Sequence, residues 1–145
     1  MKRDIPVRFN DIIRTKEGYA VFVTDGIKNI AFFIDGFTGE AICMAREGVR
    51  TMRPHTHMLI ESIIAGLGAK VEKAVVHTLK EDIYFAHLYL SQPAGAGKHI
   101  VEIDARPSDC IALALELDAP LFVKQDVWEA SEDMTWVLEQ HDKDE

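Results

Sequence analysis

Two stretches of this chain, Ile34-Asp-Gly-Phe-Thr-Gly-Glu-Ala-Ile-Cys-Met-Ala-Arg-Glu47 and Ile103-Asp-Ala-Arg-Pro-Ser-Asp-Cys-Ile-Ala-Leu-Ala-Leu-Glu116, superpose without a gap. At the constant offset of 69, five positions are identical: Ile34/Ile103, Asp35/Asp104, Ile42/Ile111, Ala45/Ala114 and Glu47/Glu116. Gly36/Ala105, Glu40/Asp109 and Met44/Leu113 are close. Each stretch passes from a strand-like run to a helical one, so the pair marks two equivalent strand-to-helix junctions. Upstream of the first, residues 5–13, 19–24 and 29–34 read as strands, with Asp25-Gly26 as a hairpin turn. Downstream, a helix is predicted from about residue 39 to Glu47, closed by Gly48. Thr56 then caps a second helix, whose Leu59, Ile60, Ile63, Ile64 and Leu67 form one apolar stripe.

The second half repeats that order. Residues 71–79, 83–90 and 99–104 read as strands, and Pro107 opens a helix through Leu117. Leu121-Phe-Val123 is a short extended piece, and residues 126–139 are predicted helical. The expectation is a single α+β domain built from a duplicated β-β-β-α-α unit, a mixed sheet flanked by helices. It spans residues 1–128, and residues 129–145 form an acidic, partly helical extension.

A 145-residue globule buries roughly 68–70% of its unfolded surface, enough to fold without disulfide or metal. With 48% hydrophobic and 28% charged residues, the chain is neither disordered nor collagen-like. No apolar run reaches the ~18 residues of a membrane span, and Met1-Lys2-Arg3-Asp4 lacks the apolar stretch of a signal peptide. Cys43 and Cys110 match no metal or redox spacing, so a cytoplasmic, reduced protein is expected. The net charge of −8 opposes free-standing nucleic-acid binding, yet its distribution matters more. Seven of the acids follow residue 128 with one base, Lys143, which leaves 17 acids against 15 bases before them.

Two places could carry chemistry. The first junction carries Asp35 and Glu40, and the second carries Asp104 and Asp109 with Arg106 and Ser108 between them. A helix N-terminus offers unpaired N–H groups to an anion. Asp104 and Asp109 could hold a divalent cation, Arg106 a phosphate, and Ser108 could donate a hydrogen bond. The plainer reading has Ser108 or Asp109 capping the helix and Arg106 paired with Asp104. The second place is the basic connection from Arg46 to His57, with Arg46, Arg50, Arg53, His55 and His57 against one acid, Glu47. Arginine suits phosphate, and His55 or His57 could transfer a proton near neutral pH. The plainer alternative is a solvated loop with Thr56 or His57 capping the next helix. His77 and His87, within apolar strands, read as packed or interface residues.

The stretch from Val101 to Leu115 closely resembles the bifunctional nuclease domain family. Its hallmark is Ile-Asp-Ala-Arg-Pro-Ser-Asp-Ala-Ile-Ala-Leu-Ala, followed by a segment like Ala119-Pro120-Leu121-Phe122-Val123. Arg53-Pro54-x-Thr56-His57-x-Leu59 and Gly68-Ala69-x-Val71 match as well, so the resemblance covers about residues 5–128. Cys110 replaces the usual Ala. At the first junction Glu40 and Ala41 carry over, whereas the glycine spacing does not.

The resemblance implies an α+β domain, a homodimer or larger homo-oligomer, and nuclease activity on DNA and RNA. Combined with the residues, it leads to a metal-assisted phosphodiesterase. Asp104, Asp109 and Glu40 would hold Mg2+ or Mn2+; Arg53, Arg106 and Ser108 would bind the substrate phosphate. His57, Asp104 and Asp109 would be catalytic. The rival is a non-catalytic homodimeric module for a small anionic ligand or a protein partner, with the same carboxylates and Arg106 as a structural network. The first reading requires the basic connection and the second junction to meet in one cleft, in the same chain or across a dimer.

Overall fold

A computed structural model describes residues 3–144; Met1, Lys2 and Glu145, at the ends of the expected domain and tail, lie outside the described residues. Strands β1 (Asp4–Arg14), β2 (Tyr19–Thr24) and β3 (Asn29–Ile34) form an antiparallel meander followed by α1 (Gly36–Glu47) and α2 (Thr56–Gly66). A second meander, β4 (Lys70–Lys80), β5 (Ile83–Ala94) and β6 (Gly97–Ala105), leads into α3 (Pro107–Leu117). The chain ends with β7 (Leu121–Lys124), α4 (Gln125–Ala130) and α5 (Thr135–Asp144).

The strands join into one seven-stranded mixed sheet, ordered β3-β2-β1-β7-β4-β5-β6. The four-residue β7 is its centre, antiparallel to β1 and parallel to β4. What reads as a short extended piece therefore bonds the two meanders together. Leu121 and Val123 go into the core, and strands on both sides of β7 pair its backbone, which lets so short a strand persist. The second half runs β-β-β-α-β-α-α, so the repeat is not a strict one. The helix predicted over residues 126–139 is two, broken where Asp133 Oδ1 accepts from the Thr135 backbone N–H and hydroxyl.

Helices α1 and α3 pack against each other, and both contribute to a common core. Ile42 and Ile111, equivalent at the offset of 69, are both buried there. Each buries a side chain worth about 1.5–3 kcal/mol. Close approach also fixes the first junction: a Cβ on Gly39 would lie 2.1 Å from the Tyr19 ring. On the far side of the sheet, Leu138 of α5 packs on Ala20 and Phe22, so β2 is covered on both faces.

Candidate functional site

The two junctions end side by side, and Arg106 joins them. Asp35 is the N-cap of α1, its Oδ1 accepting from the Thr38 N–H at 2.8 Å. Its Oδ2 accepts from Arg106 Nη1 at 3.1 Å, and Arg106 Nη2 reaches Thr38 Oγ1 at 3.3 Å. On its own helix, Arg106 donates from Nε to Asp109 Oδ2 at 2.9 Å and from Nη2 to Oδ1 at 3.3 Å. This fork matches the planar guanidinium to the carboxylate. His57, from the start of α2, donates its Nε2 hydrogen to Asp109 Oδ1 at 2.9 Å. Residues 52 apart in sequence thus meet, but in a buried contact and not in a shared cleft as the phosphodiesterase reading requires.

The electrostatics follow from these bonds. The His57 hydrogen bond, then Arg106, holds the Asp109 carboxyl below the ordinary range despite its partial burial. The Thr38 N–H, with Arg106, does the same for Asp35. His57 is only 4% exposed, and its Nδ1 is enclosed without a hydrogen-bond partner. In this arrangement it positions Asp109 rather than reaching a substrate proton.

Helix α3 begins without a side-chain cap. Arg106 occupies the N-cap position and Pro107 the first turn; neither Ser108 nor Asp109 caps the helix, and Arg106 pairs with Asp35 and Asp109 rather than Asp104. Helix α2 likewise has His55, not Thr56 or His57, at its N-cap. The α3 N-terminus opens into a cleft of about 510 Å3, lined by Arg106, Pro107, Ser108, Asp35, Asp82 and the apolar Phe33, Ile83 and Tyr84. Phe33 is 72% exposed, and Tyr84 stands edge-on to buried Phe32 with ring centroids 4.8 Å apart.

The remaining expected residues lie elsewhere. Asp104 pairs with His87 across the β5–β6 ladder, whereas core residues Ala86 and Leu88 flank His87 on β5. Alternation therefore sends Asp104 to the sheet face opposite α3 and Asp109. Glu40 accepts from Tyr19 Oη at 2.6 Å and Arg14 Nη2 at 3.2 Å. Both Asp109 oxygens serve His57 and Arg106. The trio Asp104, Asp109 and Glu40 does not fit a shared cation. Among the described residues, no group of three or more His, Cys, Asp or Glu side chains could hold a metal ion. Arg50 clips α3 through Glu116 at 2.9 Å, Arg46 approaches Asp11, and Arg53 is exposed outside the cleft.

The family model described as the bifunctional nuclease domain matches residues 21–134, a span that includes both junctions, His57 and the cleft. The chain belongs to the bifunctional nuclease domain family. The uncharacterized protein Rv1829 of Mycobacterium tuberculosis is 30% identical over 103 residues, 71% of this chain and 58% of that protein. Bifunctional nuclease 2 of Arabidopsis thaliana is 32% identical over 81 residues, 56% of this chain and 24% of that one. Bifunctional nuclease 1 of the same plant is 30% identical over a like span. The chain thus spans little more than half the mycobacterial relative and about a quarter of the plant nucleases.

Where Cys110 replaces the Ala of the bifunctional nuclease hallmark, burial pushes its thiol up to about 12. It stays protonated and behaves as a small apolar side chain. Sequence reasoning missed Thr38 and the cleft aromatics. The signal for Thr38 was present in Asp35-x-x-Thr38, the spacing of an N-cap to its third helical residue.

Proposed function

We propose that this chain hydrolyses phosphodiester bonds of DNA and RNA. The observation that carries the reading is the uncapped N-terminus of α3, which opens beside Arg106 into a cleft with exposed aromatic surface. Free N–H groups at a helix start and a guanidinium both attract phosphate. Phe33 and Tyr84 offer faces on which an unpaired base can stack, a contact worth about 1–3 kcal/mol per base. Arg106 leaves Asp35 to take the phosphate while Asp109, fixed by His57, holds the guanidinium plane. Its charge then offsets the negative charge that develops in the transition state. Ser108, on the cleft wall, donates to a phosphate oxygen. The family membership supports the reaction class.

One observation favours a second reading, a non-catalytic homodimeric module in which Arg106 and its carboxylates form a structural network. Arg106 is already paired with two carboxylates, Asp35 and Asp109, and the cleft wall carries a further acid, Asp82. The test is to incubate the pure chain with labelled single-stranded DNA and RNA, with and without Mg2+ or Mn2+, beside Arg106→Ala and Asp109→Asn variants of checked fold. Cleavage lost about 100-fold or more in Arg106→Ala supports the nuclease. Cleavage equal in wild type and both variants removes this site from the reaction. No cleavage in any metal favours the module.

A further inference from the structure

The two edges of the sheet are finished differently. At β3, the Met134 N–H donates to the Asn29 carbonyl at 2.7 Å and the Asn29 side chain donates to Thr135, so the α4–α5 connection covers the edge's start. At β6, one side pairs with β5 and every residue from Gly97 to Asp104 is exposed. Nine residues at about 3.3 Å each leave about 30 Å of bare backbone donors and acceptors. Such an edge is a template for another strand.

The surroundings of this edge are apolar. Ile100, Val101 and Ile103 of β6 are 45%, 38% and 38% exposed. Val101 and Ile103 lie opposite Leu90 and Leu88, hence on the sheet face that carries the core and helices. Helix α2 lies on that face and turns Leu59 and Ile63 outward, and Leu67 just past its end continues the stripe, all three at least half exposed. Its C-terminal end is tied to β5 by Gln92 Nε2 donating to the Leu67 carbonyl at 2.7 Å.

We propose that β6 pairs antiparallel with β6 of a second copy of this chain, the α2 stripes of both copies lying over the joint. The charge order along the strand selects that occupant. Lys98 stands near its start, Glu102 and Asp104 near its end. A two-fold axis perpendicular to the sheet keeps the helix-bearing faces on one side. Centred on Ile100, it sets Lys98 against the partner's Glu102; centred on Val101, it sets Lys98 against the partner's Asp104. Either way an apolar residue meets its own copy on the axis and opposite charges face each other. A shift to Glu102 on the axis would set two carboxylates together, so charge limits the register. Lys98 now bonds Glu72 at 2.9 Å, an exposed pair that costs little to exchange.

Sedimentation velocity on the full chain tests it. The wild type is expected to be a dimer, and Lys98→Glu to raise the dissociation constant about tenfold or more by placing acid against acid. Adding Glu102→Lys, or else Asp104→Lys, to Lys98→Glu is expected to restore the dimer, and the one that does so identifies the axis residue. Ile63→Asp is expected to weaken it without disturbing the far-ultraviolet circular dichroism. A wild type monomeric at all attainable concentrations overturns the proposal. So does a dimer unmoved by Lys98→Glu and Ile63→Asp, or a loss that neither second substitution reverses.

Discussion

The two strand-to-helix junctions start from nearly the same sequence and end differently. In the first, β3 stops at Ile34, so Asp35 leaves the strand and caps α1. In the second, β6 runs on to Ala105, two residues further by the offset of 69, and Pro107 delays the helix. Asp104 therefore stays in the ladder opposite His87, and α3 begins uncapped. An aspartate at a strand end becomes a cap or a strand-face residue according to where the next helix starts. The first junction is closed by its own aspartate; the second leaves its helix end without a side-chain cap. Arg106 ties the two by bonding Asp35 and Thr38 on one side and Asp109 on the other.

The largest effect is expected from breaking the closed junction. In an open helix, Gly→Ala would stabilise by about 1 kcal/mol. At Gly39 the added methyl meets Tyr19 Cδ2 at 2.1 Å, and Tyr19 is 6% exposed with its hydroxyl on Glu40, so the ring has no room to yield. Gly39→Ala should destabilise by about 2–3 kcal/mol in urea unfolding. The matching position of the open junction is Ser108, which already carries a Cβ.

Much of this was legible in the residues. Alternating apolar runs and turn signals placed six strands, and the offset of 69 located both junctions and the buried pair Ile42 and Ile111. β7 was visible only as an extended piece, because four residues carry too little pattern to reveal a central strand. The meeting of His57 and Asp109 was expected as a requirement of function, and no local signal fixed it; it depends on α2 packing on α3. Asp104 was misplaced because one residue of ladder register decides which sheet face it takes. The Asp35–Arg106 pair joins residues 71 apart, a contact set by tertiary packing alone.

Acid pH separates the junctions next. Asp35 and Asp109 both have folded carboxyl groups held below the ordinary value of about 3.9. A depressed carboxylate contributes stability that is full above the unfolded value and lost as pH falls through the folded one. The wild type should therefore lose stability below about pH 4. Asp109→Asn removes the more buried charge, weakens the grip on Arg106 and should cost about 2 kcal/mol at pH 7. The same variant should flatten the acid limb of a stability-against-pH curve. Asp35→Asn keeps an amide oxygen for the Thr38 N–H, and should cost less at neutral pH while flattening the limb too. An acid limb unchanged by both substitutions would remove these carboxylates as its source.

The smallest expected difference is the sharpest. Arg106 occupies the α3 N-cap with φ −71° and ψ 147°, extended geometry that asparagine adopts without strain, yet it supplies no cap bond. Replacing it tests two roles at once, since arginine links the junctions and leaves the helix end open. Arg106→Ala loses the link and adds nothing. Arg106→Asn loses the same link but supplies a side-chain oxygen to the N–H of Ser108 or Asp109, as Asp35 does for α1. The Asn variant should be more stable than the Ala variant by about 1 kcal/mol in urea unfolding. If the open N-terminus receives the anion, the Asn variant should also bind a mononucleotide more weakly than the Ala variant, because its cap occupies those N–H groups. Equal binding by the two would mean that the anion is held elsewhere and that the open end of α3 has no part in it.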